Sequence, residues 1–383
     1  VFLYIVLQFL VCAWVFGQVT AFAAKLGCSR GVQYAVTAFF ALDPIWGAFI
    51  QTQVKDTLYT GLFVLFVLKT TDLLRFPQEW QGSHPRLTAY AVLGVLCCLL
   101  RKNGIYAVVP MLLASAFTVS EKRLRRPVLA VLLAVCIGSF GFDTFTEKVL
   151  DIPAGSVGEA LSVPMQQTAR YIRDYGNEVT DDERTAIEKV LDCDAIAQSY
   201  MPELSDGVKQ YYKNPGKGDL ARYMLVWAKM LLKHPVCYFE ATHANSHGYY
   251  TITKCRAIND YYTFNNDICM EMSEMNVHYL DKSGYLRYAF VQVLSAFEKL
   301  PLVGLTTSIG FMAWLTAVLG LWLARCKAKP VLPVFIGLGI FWLTCIASPV
   351  NDCMRYFLPV AGCLPLVFCL AAVFSREKSE ITV

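Results

Sequence analysis

Arg101-Lys102-Asn103-Gly104 stands between two apolar runs, Leu87–Leu100 and Ile105–Val119, and no other stretch constrains the fold as much. A membrane-spanning helix needs about 17–25 mostly apolar residues, and each run alone is a little short. Joined as one helix, they would bury Arg101 and Lys102 at mid-membrane, where an unpaired cation costs several kcal/mol. The joined helix would also separate Lys69, Arg75 and Arg86 from Lys122, Arg123, Arg125 and Arg126. Short cytoplasmic loops carry the excess of Lys and Arg. A hairpin with Asn-Gly at the reversal keeps both basic clusters on one side. The sequence therefore predicts two spans joined at Arg101–Gly104.

The rest of the chain fits this setting. Of its 383 residues 56% are hydrophobic, and the mean hydropathy is +0.44. Repeated apolar runs near span length indicate a multi-pass membrane protein, expected in the cell membrane. The net charge of +4 gives no reason to expect a nucleic-acid partner. Spans are expected over Phe2–Ala24 and Gly31–Leu42, from Leu58–Leu68 up to Lys69, in the two arms of the hairpin, and from Pro127 onward. Leu302–Ala324, Val331–Ala347 and Phe357–Phe374 bring the total to about nine. Asp43-Pro44 breaks the second span, and Ile45–Gln53 reads as irregular or interfacial. No charged region precedes the opening apolar run, so no signal peptide is expected and the chain reads as part of a longer one.

Short segments on one side hold Lys25, Arg30, Lys69, Arg75, Arg86, the Lys122–Arg126 cluster, Arg325, Lys327, Lys329, Arg376 and Lys378. Those on the other hold Lys55, Arg101, Lys102 and Arg355. The first side is expected to be cytoplasmic. The resulting fold class is an all-α polytopic membrane protein with a mainly α extracytoplasmic domain between spans six and seven. Its parts are a membrane bundle over 1–143, the outer domain over 144–285, an interfacial helix over 286–300 and a second bundle with a cytoplasmic tail over 301–383.

Within the polar segment, Thr180-x-x-Glu183 predicts a capping box opening a helix over Asp181–Leu191. Asp219 can cap a helix through Leu232 with Leu220, Met224, Trp227 and Leu231 on one face, and Pro235 stops it. Tyr285–Leu300 has the spacing of an amphipathic helix lying at the interface. Of fourteen cysteines, Cys193, Cys237, Cys255 and Cys269 fall in the polar segment and could form two disulfides in any of three pairings. The chain has no C-x-x-C pair, which argues against structural zinc or thioredoxin-like chemistry.

Three short outer loops carry charge at a helix end: Gln51–Thr57, Arg101–Asn103 and Asn351–Tyr356. Charged groups facing a membrane bundle commonly mark a substrate route. Lys55, Arg101, Lys102 and Arg355 can bind phosphate, with Asn103 and Tyr356 beside them. Asp56 or Asp352 can orient a nucleophile, take a proton or neutralise a cation. The plainer reading is a set of interfacial anchors with snorkelling stems; three clusters on one side favour function. Gln166, Gln167 and Arg170, after Pro164, can hydrogen-bond a sugar or serve only capping and packing. His243-x-x-x-His247 lacks the Glu of H-E-x-x-H, and Asn245, Ser246 and Gly248 argue against a stable helix there, so no metal site is assigned. Lys213–Gly218 lacks P-loop spacing and reads as a mobile turn.

Val54-Lys55-Asp56-Thr57-Leu58, Leu100-Arg101-Lys102-Asn103-Gly104 and Arg355-Tyr356-Phe357-Leu358-Pro359 resemble a bacterial multi-pass family of unknown function. That family is similar to the GT-C glycosyltransferases, including the dolichyl-phosphate-mannose protein mannosyltransferase group. Pro164–Arg170, Leu204–Lys209 and Trp227 through Lys233-His234-Pro235 to Glu240-Ala241-Thr242 extend the resemblance over nearly the whole chain. It implies a GT-C-like bundle and a transferase using a polyprenyl-phosphate sugar on the outer face. It further implies Asp56 near the catalytic site, Arg101 and Lys102 on the lipid phosphate, and Arg355 and Tyr356 lining the donor cavity. The main catalytic carboxylate is expected upstream of Val1. A divalent cation is compatible with this chemistry but not demanded, since Arg and Lys can do the same electrostatic work. A transporter or flippase for an anionic lipid-linked glycan is the alternative, although one break at Asp43-Pro44 with no matching half counts against it. A third, non-enzymatic reading is a scaffold presenting its outer domain.

Overall fold

The computed structural model describes residues 2–152, 155–252 and 284–382, and the named elements among them are all helical. In chain order the first are α1 (Phe2–Lys25), α2 (Arg30–Leu42), α3 (Pro44–Ile50), α4 (Lys55–Arg75), α5 (His84–Leu100), α6 (Ile105–Thr118) and α7 (Arg125–Lys148). Next come α8 (Ser162–Tyr175), α9 (Asp181–Glu188), α10 (Cys193–Gln198), α11 (Asp206–Lys209), α12 (Lys217–Lys233) and α13 (Pro235–Ser246). The last are α14 (Tyr285–Lys299), α15 (Ile309–Arg325), α16 (Leu332–Ile346) and α17 (Met354–Thr382).

Among the described residues, five helical stretches are long and apolar enough to cross a membrane: Phe2–Lys25, Lys55–Arg75, Lys122–Lys148, Lys329–Ile346 and Met354–Lys378. His84–Leu100 and Ile309–Arg325 are apolar but shorter. The 13 residues of α2, expected as a span, rise only about 20 Å as a helix, so a crossing of the hydrocarbon core of about 30 Å would draw on the residues that flank it as well.

By contacts the chain divides into two units. The first comprises Val1–Phe142, Tyr250–Trp342 and Met354–Val383. Its centre is α4, which packs against α1, α5, α6 and α17. Of the most apolar window of α4, 83% is buried, against 28% for α1 and 22% for the α7 stretch, so α4 lies inside the bundle and the others on its rim. Two expectations are corrected here. Ile45–Ile50 is helical rather than irregular: Asp43 caps α3, Oδ1 accepting from Ile45 N at 3.1 Å, and Pro44 occupies its first turn, where proline is favoured; only Gln51–Gln53 leave the helix. Nor does the third span stop at Lys69. It starts at Lys55 and continues to Arg75, because Asp72 is partnered there, accepting from Lys25 Nζ at 2.7 Å and Trp80 Nε1 at 3.0 Å.

The second unit comprises Asp143–Tyr249 and Leu343–Cys353. Met165, Tyr171, Ile187, Leu191, Tyr223, Met230 and Tyr238 form its buried core, with Leu220, Met224, Trp227 and Leu231 packed against it. The capping box at Thr180 and Glu183 forms as expected, although the helix ends at Glu188. Gly216, not Asp219, is the N-cap of α12; Asp219 lies in its first turn. Pro235 separates α12 from α13 by opening the latter. Lys213–Gly218 is anchored rather than loose at its start, with Lys213 N donating to Val190 O at 2.9 Å and Nζ 3.0 Å from Glu188 Oε2. Cys193 and Cys237 are free thiols buried in this unit, so they do not pair with one another; Cys255 and Cys269 lie outside the described residues.

The segment Leu343–Cys353 is tied in by polar contacts. Asn245 Nδ2 donates to Ser348 O at 2.8 Å, Gly248 N to Asn351 Oδ1 at 2.8 Å and Ser205 N to Pro349 O at 2.7 Å. A buried backbone carbonyl left without such a donor costs about 1–3 kcal/mol.

Candidate functional site

Within the first unit, three helix ends bring charged side chains together. Asp56 is in the first turn of α4, where the N-cap Val54 supplies no side-chain acceptor. Its carboxylate therefore stands at the positive end of the helix dipole. The lead-in to α4 is fixed by polar contacts. Gln8, fully buried, donates through Nε2 to Ile50 O at 2.8 Å and Thr52 O at 3.0 Å, and Thr57 Oγ1 donates to Phe49 O at 2.9 Å. Arg101 is the C-cap of α5, with extended backbone at φ −141° and ψ 112°. This break ends α5 and separates it from α6, as the polar turn predicts. Arg355 and Tyr356 lie in the first turn of α17.

Asp56 faces both arginines. Its Oδ1 is 3.2 Å from Arg101 Nη1, and its Oδ2 is 3.6 Å from Arg355 Nε. The side chains of Asp56 and Arg101 are only 10% and 12% exposed, so water screens this pair poorly. Aromatic rings complete the surroundings of Arg101. Its guanidinium carbon lies 5.0 Å from the Tyr356 ring centroid, 5.4 Å from Phe341 and 5.9 Å from Tyr59. The Tyr356 ring is also 5.0 Å from the Arg355 guanidinium, which donates through Nη2 to Tyr356 Oη at 3.2 Å. Cations over aromatic faces are favoured most where water is excluded. The result is a buried ion cluster with two guanidinium groups around one carboxylate.

Space is tight where the chain leaves this cluster. A Cβ on Gly104 would fall 2.8 Å from Cys97 O and 3.0 Å from Tyr59 Oη. That hydroxyl is itself buried and has no hydrogen-bond partner among the described residues.

The other residues singled out from sequence are placed elsewhere. Lys55 is exposed at the first position of α4 and has no ion pair with Asp56. Lys102 and Asn103 are exposed in the turn after Arg101. Asp352 belongs to the second unit and has a left-handed backbone, φ 52°, against which Gly248 packs. Gln166, Gln167 and Arg170 also belong to that unit, and its own groups engage them. Gln166 donates to Met201 O, Gln167 Nε2 donates to Thr242 Oγ1 at 2.8 Å while its Oε1 accepts from Trp227 Nε1 at 3.0 Å, and Arg170 pairs with Glu240 and Asp174. The α13 helix does run through His243 to Ser246, with the His243 and His247 rings 5.7 Å apart. Among the described residues no group of three or more His, Cys, Asp or Glu could hold a metal ion. With guanidinium groups facing both its oxygens, Asp56 is also poorly suited to a divalent cation, which needs several oxygen ligands.

Sequence reasoning missed Tyr59 and Phe341. Tyr59 stands three residues beyond Asp56, a spacing that puts both on one helix face and could have flagged it. Phe341, on α16, carries no such signal.

Fold and cluster together define a protein that is all-helical among its described residues, with several helices able to cross a membrane and a buried carboxylate–arginine cluster at three of its helix ends. More particularly, the chain belongs to the Family of unknown function (DUF6020), whose model matches residues 1–382. No curated protein and no solved structure matches it.

Proposed function

We propose that this chain is a membrane glycosyltransferase of the GT-C type, transferring a sugar from a polyprenyl-phosphate donor to a cell-envelope glycan, lipid or protein on the outer face. The observation that carries this reading is the meeting of Asp56, Arg101, Arg355 and Tyr356 from three helix ends. In this reading the chain crosses the membrane about nine times and the cluster lies at the outer surface, level with a lipid phosphate. Arginine suits that role because its planar fork meets two phosphate oxygens at once.

Transfer breaks the bond between the anomeric carbon and the phosphate oxygen, whose electron pair stays with the leaving phosphate. The acceptor oxygen forms the new bond and loses its proton to a base. The arginines stabilise the charge that builds on the phosphate, the term that usually dominates such catalysis. Asp56 holds the guanidinium groups in register until the donor arrives. Tyr356 offers a hydroxyl and a ring face to the sugar–phosphate junction, and Tyr59 backs Arg101 from the interior.

The test uses the full protein in lipid nanodiscs with a radiolabelled polyprenyl-phosphate sugar and envelope extract as acceptor. Transfer lost in Arg101→Met and Arg355→Met, with both variants folded, supports the proposal. Transfer undiminished in both defeats it. The second reading is a flippase for an anionic lipid-linked glycan, for which the same arginines would hold the phosphate. Movement of the labelled donor across proteoliposomes without transfer favours that reading.

A further inference from the structure

A second, independent feature of the first unit lies at the other end of α4. There α1 and α5 each pack along α4 but not along one another, which leaves a groove between them. The groove encloses about 600 Å³, within the size range of small-molecule sites. Its wall on α1 runs from Trp14 to Lys25, a length of about 16 Å at the helical rise. Over most of that length the lining is apolar, through Leu65, Leu68 and Leu93.

One mouth is charged. Lys25, Lys69 and Arg86 supply cations, and Asp72 and Glu79 supply anions. Lys25 is committed, at 2.7 Å from Asp72 Oδ1 and 2.8 Å from Glu79 Oε1. The second oxygen of Asp72 accepts from Trp80 Nε1 at 3.0 Å, so both oxygens of Asp72 are engaged. Arg86 reaches Glu79 through Nη1 alone, at 3.0 Å. Lys69, half-buried on the groove floor, has no ion pair among the described residues. The mouth thus carries one more cation than it has carboxylates to match.

We propose that this groove binds one chain of an anionic phospholipid, with its phosphate on Lys69 and Arg86. The volume fits a single chain better than a two-chain lipid body, so the second chain stays in the bilayer. The surplus positive charge at the mouth selects an anionic headgroup over a zwitterionic one. The arrangement orients a structural lipid along α4 and is separate from the Asp56 cluster.

The test is native mass spectrometry of the full protein in neutral detergent, titrated with phosphatidylglycerol or with phosphatidylcholine of the same chains. Phosphatidylglycerol should bind at a lower concentration, and Lys69→Gln should weaken it about five-fold, the effect of one cation at a lipid surface, while leaving phosphatidylcholine unchanged. Lys69→Arg should retain the preference. Arg86→Gln, on the exposed rim, should weaken phosphatidylglycerol in the same direction. Ala21→Trp, which fills the groove from α1, should remove binding of both lipids. Glycerol 3-phosphate should not compete, because without a chain it has nothing to place in the groove. Equal binding of the two lipids by the unaltered protein overturns the proposal. So does phosphatidylglycerol binding that neither Lys69→Gln nor Arg86→Gln changes, or displacement by glycerol 3-phosphate.

Discussion

Nη1 of Arg101 lies 3.2 Å from Oδ1 of Asp56, one residue ending α5 and the other beginning α4. The pair joins two helix ends that carry opposite side-chain charge, and burial makes its integrity expensive to lose. Removing one member of such a pair leaves a desolvated charge, at about 3–5 kcal/mol when burial is complete. With Arg355 still near Asp56, Arg101→Met should cost about 2 kcal/mol, less than that full penalty. Asp56→Asn should cost more, since it strands two guanidinium groups. The double variant should be more stable than the sum of the singles predicts, by at least about 0.5 kcal/mol. Thermal melts of the four proteins in detergent check this. Strict additivity would mean that the two side chains do not interact.

Gly104 tests the turn itself. Its backbone is ordinary, φ −58°, so any penalty at this position comes from space alone. Gly104→Ala forces a Cβ to within 2.8 Å of Cys97 O. Overpacking of this kind costs about 1–3 kcal/mol. The melting temperature should fall, and if Arg101 works as proposed, donor binding should weaken with it. An alanine variant as stable as the parent would show that α6 can move away freely.

The turn was readable in the sequence for a physical reason: two adjacent cations between short apolar runs admit few low-energy arrangements. The Thr180–Glu183 capping box was readable because both partners are local. The cluster around Asp56 was only half visible. Lys55 is next to Asp56 in sequence, yet successive helix residues point about 100° apart, and Lys55 stays exposed while Arg101 and Arg355 arrive from distant helix ends. Lys69 reads as the end of a span for a related reason. Its charge resembles a terminator until the helix is seen to continue past it to where Lys25 and Trp80, from other elements, partner Asp72.

The second unit should lose stability in acid. Asp174 is held below its ordinary range by the hydrogen bonds from Arg173. For Glu183 and Glu188 burial pushes upward, but other contacts outweigh it and both are depressed. Glu183 is held by Lys233 and the Thr180 backbone N–H, and Glu188 by the Cys193 backbone N–H and Lys213. A carboxylate depressed in the folded state binds its proton more readily once unfolded. Its contribution is therefore complete above the unfolded value, about pH 4–4.5, and is lost as pH falls through the folded one. The melting temperature of the full chain should drop below that range. Glu183→Gln should lower neutral-pH stability by about 1–2 kcal/mol and make the acid slope shallower. An unchanged slope in the variant would remove Glu183 from the account.

The two turns that flank α6 report whether it crosses the membrane. Asn103 is exposed in the turn after α5, and Lys122 is exposed in the turn before α7. In the nine-span reading these turns face opposite sides of the membrane, with α6 between them. The 14 residues of α6 rise only about 21 Å, so the flanking turns must enter the interface to complete the crossing. Single cysteines introduced at Asn103 and at Lys122 should react differently with a membrane-impermeant maleimide applied to intact cells. Asn103→Cys should label at once, and Lys122→Cys only after permeabilisation. The parent protein, treated alike, sets the background from its own thiols, many of which are buried. If both positions label from outside, or neither does, α6 does not cross and the Asp56 cluster loses its assigned face.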